Sequence, residues 1–178
     1  MLSTIVLCED ERRLFPQNRD PAEAIVRTLA ALVAVNVAGL LRDVTIAGGL
    51  DHGLESIADH AGCQYSEAER EEDWLDQALQ AARGPNLFLI RSGFAPEAGF
   101  IDEAGDFLAL GGDGRTGTAA LRAVPESFIE RLFPARAPLA GFIAPRAMCL
   151  KAPRGSFSAL ARFIRPAKTL RTCARRTL

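Results

Sequence analysis

Short apolar runs alternate with amphipathic stretches along the first 108 residues. The runs have the length and β-branched content of strands, and the stretches repeat apolar residues at helical spacing. The predicted strands are residues 2–7, 43–47, 63–65 and 86–90. The predicted helices are residues 21–38, 51–60, 66–82 and 96–107. The run 87–90 is apolar on both faces, which is typical of a strand inside a parallel sheet covered by helices. The alternation therefore predicts an α/β fold, a Rossmann-like three-layer sandwich with a mostly parallel central sheet.

Helix boundaries are indicated by capping residues. Asp20 and Pro21 predict the start of the first helix, and Asp51 is a candidate cap for the second, which Gly62 ends. Ser66 with Glu69 predicts a capping box for the third helix. The buried stripe of the first helix is predicted to be Ala22, Ile25, Val26, Leu29, Val33, Val37 and Leu41.

The pattern is weaker beyond residue 110. Residues 111–117 form a glycine-rich stretch without the Lys-Ser/Thr ending of a phosphate loop, so a connector is predicted. The predicted elements that follow are a helix at 125–133, a strand at 140–150 and a helix at 156–164. We expect one domain over residues 1–164 and a basic, disordered tail over 165–178.

Composition narrows the class of protein. The chain has 178 residues, of which 48% are hydrophobic and 24% charged, as expected for one globular domain. Its four cysteines form no CxxC pair, which favours reduced thiols. The longest apolar run, residues 29–41, is shorter than the roughly 20 residues of a spanning helix. We expect a cytoplasmic protein, with peripheral attachment to the inner face of the membrane as a further expectation.

The charge is divided unevenly along the chain. Residues 1–130 contain 22 acidic and 10 basic side chains, and residues 131–178 contain 11 basic side chains and no acidic one. Three interpretations stay open: an anionic membrane surface or lipid-phosphate acceptor, a nucleic acid, or docking on the acidic helix at 67–76. Nucleic acid is disfavoured because only Phe157 and Phe163 could stack with bases after residue 150. The two histidines, His52 and His60, are poorly spaced for a metal site.

Five segments in a characteristic order carry a resemblance to a known family. The segments are residues 3–11, 44–51, 61–63, 81–90 and 96–101. Together they resemble the nucleotide-sugar half, about residues 1–108, of family-two glycosyltransferases, which have the GT-A fold. Residues 3–11 resemble the family's opening strand and Asn-Glu-Glu turn, and residues 44–51 resemble its strand ending in Asp-Gly-Gly-Ser. The resemblance implies a nucleotide-diphosphate-sugar transferase fold, with ligand at the carboxyl ends of the strands.

The departures from the family concern its acids. Ala47 stands where the family has an Asp after the second strand, and Gly93 stands where the second acid of its DxD motif would be. No cofactor is assigned: Mg²⁺ or Mn²⁺ would be the family's metal, but this chain lacks its usual carboxylate ligands. The guanidinium of Arg91 is instead expected to bind the pyrophosphate. The substrate-binding residues that the resemblance implies are Glu9, Asp10, Glu11, Gly48, Gly49, Asp51, Arg91 and Ser92.

The leading hypothesis is a glycosyltransferase that transfers a sugar from a nucleotide-diphosphate sugar to an unknown acceptor without a metal. The catalytic base is not identified. Two alternatives stay open: a catalytically inactive GT-A-like binding or scaffold module, and an anionic-lipid adaptor that acts through its basic C-terminus.

Overall fold

The computed structural model describes residues 1–9, 20–50, 53–110, 117–133 and 136–177. The strands are β1 (Leu2–Cys8), β2 (Leu41–Gly48), β3 (Gln64–Glu67), β4 (Asn86–Arg91), β5 (Phe94–Pro96), β6 (Ala119–Ala123), β7 (Leu139–Pro145) and β8 (Lys168–Arg176). The helices are α1 (Pro21–Val37), α2 (Leu54–Ala61), α3 (Glu71–Ala81), α4 (Phe100–Leu110), α5 (Phe128–Leu132), α6 (Arg146–Cys149) and α7 (Phe157–Ile164). Among these helices, none has the length and hydropathy that crossing a bilayer requires.

The described strands form one mixed sheet in the order β3-β2-β1-β4-β7-β6-β8-β5. Strands β1 to β4 are mutually parallel, and β7 pairs antiparallel with both β4 and β6. Strand β8 is parallel to β6, and β5 is antiparallel to β8. Six strands therefore run one way and two run the other, which confirms the predicted α/β class with a mostly parallel sheet.

Helices cover both faces of this sheet. On one face, α1 and α4 pack on a core that includes Phe88, Phe100 and Leu121. On the other face, α3, α6 and α7 pack on a core that includes Trp74, Phe142 and Phe157. Every residue of β1 is buried between the two cores, which explains why the central strands lack polar alternation.

The buried face of α1 is not the predicted one. The buried residues of the helix are Ala24, Ile25, Thr28, Leu32 and Val35. Val26, Val33 and Val37, which belong to the predicted stripe, are 52%, 58% and 81% exposed. The helix has apolar residues on two sides, so periodicity could not select between them. Tertiary contacts select the side with Thr28, whose hydroxyl accepts a hydrogen bond from the backbone N–H of Gly93 at 3.0 Å.

Four of the predicted helix starts differ from the structure, and two of them, predicted at 96 and 125, lie at Phe100 of α4 and Phe128 of α5, since Pro96 belongs to β5. Ser66 lies in β3 and donates its hydroxyl to the carbonyl of Trp74 at 3.0 Å, so the predicted capping box with Glu69 is wrong. Helix α3 begins at Glu71 instead. Asp51 lies outside the described residues, and the N-cap of α2 is Gly53. The predicted stop at Gly62 is confirmed, since this residue ends α2 with a φ of 66°.

The basic C-terminal segment is a strand of the sheet. Residues 168–176 form β8 between β6 and β5, so the prediction of a disordered tail is wrong for them. Leu170 and Ala174 are buried, and residues 168–169 and 173–176 pair with β6 and β5, so two apolar side chains suffice to hold a basic strand. The backbone N–H groups of Arg171 and Thr172 also donate to Glu103 of α4 at 2.8 and 2.9 Å.

Other elements of the second half agree only in part with expectation. The predicted strand at 140–150 is divided into β7 and the short helix α6, and β6 was not predicted. Helix α7 agrees with the helix predicted at 156–164, and Ser156 is its N-cap, whose hydroxyl accepts from the N–H of Ala159 at 3.2 Å. Of the glycine-rich stretch 111–117, only Gly117 lies among the described residues.

Candidate functional site

The topological switch point of the sheet lies at the carboxyl ends of β1 and β4. The chain continues from β1 to β2 and β3 on one side, and β4 lies on the other side. Ligands of open α/β sheets bind in the crevice outside the strand ends at such a point. Glu9 follows β1 and Arg91 ends β4, and Arg91 Nε lies 3.0 Å from Glu9 Oε2. An ion pair therefore occupies the two central strand ends.

Helix α7 partly covers this ion pair. Arg91 Nη2 donates to the hydroxyl of Ser158 at 3.3 Å, and the guanidinium carbon lies 4.8 Å from the centre of the Phe157 ring. A cation over an aromatic face is stabilised by the quadrupole of the ring. The side chains of Arg91 and Glu9 are only 12% and 15% exposed. The guanidinium is thus held in one orientation at the edge of the crevice.

The electrostatics of Glu9 are set by burial and by charges of both signs. Burial raises the pKa of the Glu9 carboxyl above its usual value, and this effect exceeds the opposite effect of Arg91. The negative charge of Glu71 adds to the increase. Glu71 itself accepts a hydrogen bond from the backbone N–H of Phe157 at 2.8 Å, which anchors the start of α7 beside the ion pair.

The turn after β4 is tied to the strands and helix around it. The backbone N–H of Ser92 donates to the carbonyl of Leu7 at 2.8 Å, and Ser92 is buried. Gly93 has a φ of 77°, a conformation that favours glycine, and its N–H is bound by Thr28. Glycine at the position of the expected acid therefore has a structural role.

The other predicted site residues lie at the neighbouring strand end or outside the described residues. Gly48 ends β2 and pairs in register with Cys8 and Glu67, and Gly49 follows it directly. The structure therefore brings Glu9, Gly48, Gly49, Arg91 and Ser92 to one edge of the sheet. The remaining predicted residues, Asp10, Glu11 and Asp51, lie outside the described residues.

Three groups at this edge were not predicted from the sequence. Phe157 and Ser158 contact Arg91 from 66 and 67 positions away, and the sequence showed only that a helix would begin there. Glu71 was predicted only as one of the acids of the helix at 67–76, with no ligand assigned to it. In addition, β6 and β8 run in the direction of β4, so they bring Arg122, Arg175 and Arg176 to the carboxyl edge. No short motif signals these contacts, because they depend on sheet order.

The described carboxylates of this edge do not fit a divalent metal. The turn after β4 contains no acid, and Glu9 is paired with Arg91. Glu67 accepts from the N–H of Leu54 at 2.9 Å, and Glu71 accepts from that of Phe157. Mg²⁺ and Mn²⁺ bind through free oxygen ligands, and among the described residues no group of three or more His, Cys, Asp or Glu could hold a metal.

Known proteins resemble this chain in structure but not in sequence. No protein-family model matches the chain, and no curated protein matches it. Glucosyl-3-phosphoglycerate synthase from Mycobacterium tuberculosis, solved with Mn²⁺, UDP and glucosyl-3-phosphoglycerate, is 14% identical with a TM-score of 0.64. That match covers 99% of this chain and 72% of the synthase.

Two nucleotidyltransferase structures give similar scores. 4-Diphosphocytidyl-2C-methyl-D-erythritol synthase from Anaerococcus prevotii is 8% identical with a TM-score of 0.61, over 99% of this chain and 89% of the synthase. A putative glucose-1-phosphate thymidylyltransferase from Bacillus anthracis is 10% identical with a TM-score of 0.62, over 98% of this chain and 89% of that protein. At these identities the likeness concerns the fold, and the chain has the GT-A-like fold of nucleotide-sugar glycosyl- and nucleotidyltransferases.

Proposed function

We propose that this protein binds a nucleotide-diphosphate sugar at the carboxyl ends of β1, β2 and β4 and transfers the sugar without a metal. The observation that carries the proposal is the ion pair of Glu9 and Arg91 at the switch point of the sheet. The family's acidic motif would stand at the end of β4, where this chain has a cation. A cation there can bind the same anionic ligand that a metal binds elsewhere.

Arg91 has the donors that this role requires. A guanidinium has five N–H donors on three nitrogens, and the contacts with Glu9 and Ser158 use Nε and Nη2. Nη1 has no hydrogen-bond partner among the described residues, so its hydrogens can donate to a phosphate oxygen at the edge of the crevice. During transfer, negative charge accumulates on the departing nucleoside diphosphate, and an oriented guanidinium stabilises that charge. Glu9, Asp10 and Glu11 are proposed to contact the nucleoside.

An inactive binding module is the second candidate, and a specific contact favours it. Phe157 and Ser158 lie against Arg91, so side chains of α7 fill part of the crevice. A module of this kind would bind the nucleotide and release no product. The lipid-adaptor alternative has less support, because it depended on a free basic tail, whereas Arg176 of β8 pairs with Glu126 at 3.1 Å.

Ligand-induced stabilisation tests the binding step. Thermal unfolding is followed with UDP-, GDP- and dTDP-sugars, each with and without Mn²⁺ or Mg²⁺, since a ligand of the native state raises the melting temperature. We expect one donor to raise it without metal, and Arg91→Ala to lose that rise. Arg162→Ala removes an exposed cation from α7 and serves as the matched control. The absence of any shift, or equal shifts in Arg91→Ala and wild type, would refute the proposed donor site.

Turnover separates the enzyme from the inactive module. The donor that binds is incubated with acceptors, and release of nucleoside diphosphate is measured. Phosphoglyceric acid is the first acceptor to test, because a structural neighbour was solved with UDP-glucose and this acid. Product that requires both protein and acceptor, and that is lost in Arg91→Ala, supports the transferase. Binding without turnover across the acceptor panel supports the inactive module.

A further inference from the structure

Helix α5 presents its apolar side to solvent. None of its residues is buried, and the side chains of Phe128, Ile129, Leu132 and the adjoining Phe133 are 79%, 58%, 62% and 53% exposed. Positions 128 and 132, and likewise 129 and 133, are four residues apart, so the four side chains lie on one side of the helix. A surface helix ordinarily packs its apolar side on the core. An exposed apolar patch of this kind marks an interaction surface, and we call these four residues the α5 patch.

Two arginines border the α5 patch. Arg131 belongs to α5, and the guanidinium carbon of Arg136 lies 5.4 Å from the centre of the Phe133 ring. Both arginines are exposed, and neither forms an ion pair within the described part of the chain. Aromatic and aliphatic side chains beside cations are typical of segments that lie in the interface of an anionic membrane. There the apolar side chains enter the boundary of the acyl chains, and the cations contact lipid phosphates.

The acidic residues beside α5 are held by groups of this chain. Glu126 pairs with Arg176 at 3.1 Å. Glu130 accepts hydrogen bonds from the backbone N–H groups of Glu126 and Ser127 at 2.9 and 3.3 Å. The sequence contains no acidic residue after position 130, whereas residues 131–178 contain 11 basic ones. The charge that this part of the chain offers to an outside partner is therefore positive, which favours an anionic surface.

The α5 patch lies at the edge of the sheet that contains the candidate site, because β6 runs parallel to β4 and α5 follows the carboxyl end of β6. We propose that this patch docks the protein on the surface of an anionic membrane, with Arg131 and Arg136 against the lipid phosphates. A bilayer accepts protruding side chains such as Phe128 without a pocket of complementary shape, whereas a protein partner must supply one. Docking requires no sugar transfer, so either proposal can fail while the other stands.

Co-sedimentation with vesicles measures docking. The full chain is mixed with vesicles of phosphatidylcholine that contain about 30% phosphatidylglycerol, and with vesicles of phosphatidylcholine alone. We expect stronger binding to the anionic vesicles, and a decrease as salt rises. Ile129→Asp should lower the partition coefficient by about tenfold or more, because a charge would enter the acyl boundary. Val33→Asp is the matched control, since Val33 of α1 is also 58% exposed. Equal binding to the two vesicles, no binding to the anionic ones, or equal losses in the two variants would overturn the proposal.

Removal of charge tests the two arginines. Arg131→Gln with Arg136→Gln should weaken binding to anionic vesicles and reduce its salt dependence. Arg42→Gln with Arg83→Gln is the matched control, because both residues are exposed and lie near the amino ends of β2 and β4, at the opposite edge of the sheet. Equal effects of the two double variants would mean that the docking has no preferred side, which contradicts the proposal.

Fluorescence quenching tests whether the α5 patch enters the lipid. The chain has one tryptophan, Trp74, which is 3% exposed, so the wild type gives the background. Phe128→Trp places a second indole in the patch, and lipids brominated in the acyl chain should quench this indole and leave Trp74 unchanged. A vesicle-bound Phe128→Trp without additional quenching would refute insertion.

Sedimentation velocity without vesicles tests a protein occupant of the same patch. We expect Ile129→Asp to leave the sedimentation of the protein unchanged, with circular dichroism melts to verify that each variant is folded. A concentration-dependent oligomer that Ile129→Asp dissociates would mean that α5 contacts another copy of the chain, and would overturn membrane docking.

Discussion

Substitution of Gly141 by alanine would force apart two central strands beside the candidate site. Gly141 of β7 pairs with Ile90 of β4, one residue before Arg91. A Cβ at this position would lie 2.3 Å from the carbonyl oxygen of Leu89 and 3.1 Å from the Cα of Ile90. Both atoms belong to the backbone, so relief requires movement of a strand and not of a flexible side chain. We expect Gly141→Ala to lower the free energy of unfolding by about 2–3 kcal/mol.

Gly105→Ala is the matched control, with the opposite sign. Gly105 lies inside α4, and its nearest atom to an added Cβ is Leu40 Cδ2, at an ordinary contact distance of 3.9 Å. Alanine in a helix interior should raise the free energy of unfolding by about 0.5–1 kcal/mol, because glycine loses more backbone entropy on folding. The same chemical change therefore has opposite effects at the two positions.

Urea unfolding monitored by circular dichroism measures both variants. If binding depends on the position of Arg91, Gly141→Ala should also reduce the thermal shift given by the nucleotide-sugar, and Gly105→Ala should not. A stability of Gly141→Ala within about 0.5 kcal/mol of wild type would refute the reasoning, since it would mean that β4 and β7 separate at almost no cost.

Three further predictions concern polar and thiol groups. Burial raises the pKa of the Glu103 carboxyl, but hydrogen bonds from N–H groups of β8 lower it by more, so this pKa lies below its usual value. Its stabilising effect is present above the unfolded-state pKa and lost as pH falls through the folded-state pKa. Between pH 7 and about pH 3, the free energy of unfolding measured with urea should therefore fall less in Glu103→Gln than in wild type. Equal falls in the free energy of unfolding in the two proteins would contradict this. Ser3→Ala should cost about 1–3 kcal/mol in the same assay at pH 7, because the buried Ser3 hydroxyl accepts from the N–H of Gly84 at 2.6 Å; an unchanged midpoint would contradict this. Burial raises the pKa of the Cys149 thiol to about 12, so mass spectrometry after iodoacetamide at pH 8 should detect its alkylation only in denaturant, and fast labelling of the native protein would refute this.

The order and type of the first seven elements could be predicted because their signals are local. The run 86–90 is apolar on both faces, Asp20 and Pro21 mark a helix start, and Gly62 a helix end. Boundaries were less accurate where one residue type serves two roles. Ser66 fits a capping box in sequence, but in the structure its hydroxyl binds the carbonyl of Trp74 from within β3.

The candidate site could be predicted only in part. The switch-point rule places Glu9 and Arg91 at one edge once the strand order is known, and the sequence does not give that order. The sequence does not show that Arg91 contacts Phe157 and Ser158, because these residues approach it only after the chain has crossed the sheet several times.

The α/β class follows from the chain's local pattern, since strand-length apolar runs alternating with amphipathic helices can bury their faces in few other ways. Contacts of the folded chain select which of two apolar sides of α1 faces the sheet, because Thr28 on the buried side binds the N–H of Gly93. They also decide that residues 168–176 are a strand. A basic segment with two buried apolar side chains has too weak a pattern to be recognised, and β6 and β5 supply the backbone partners that make it part of the sheet.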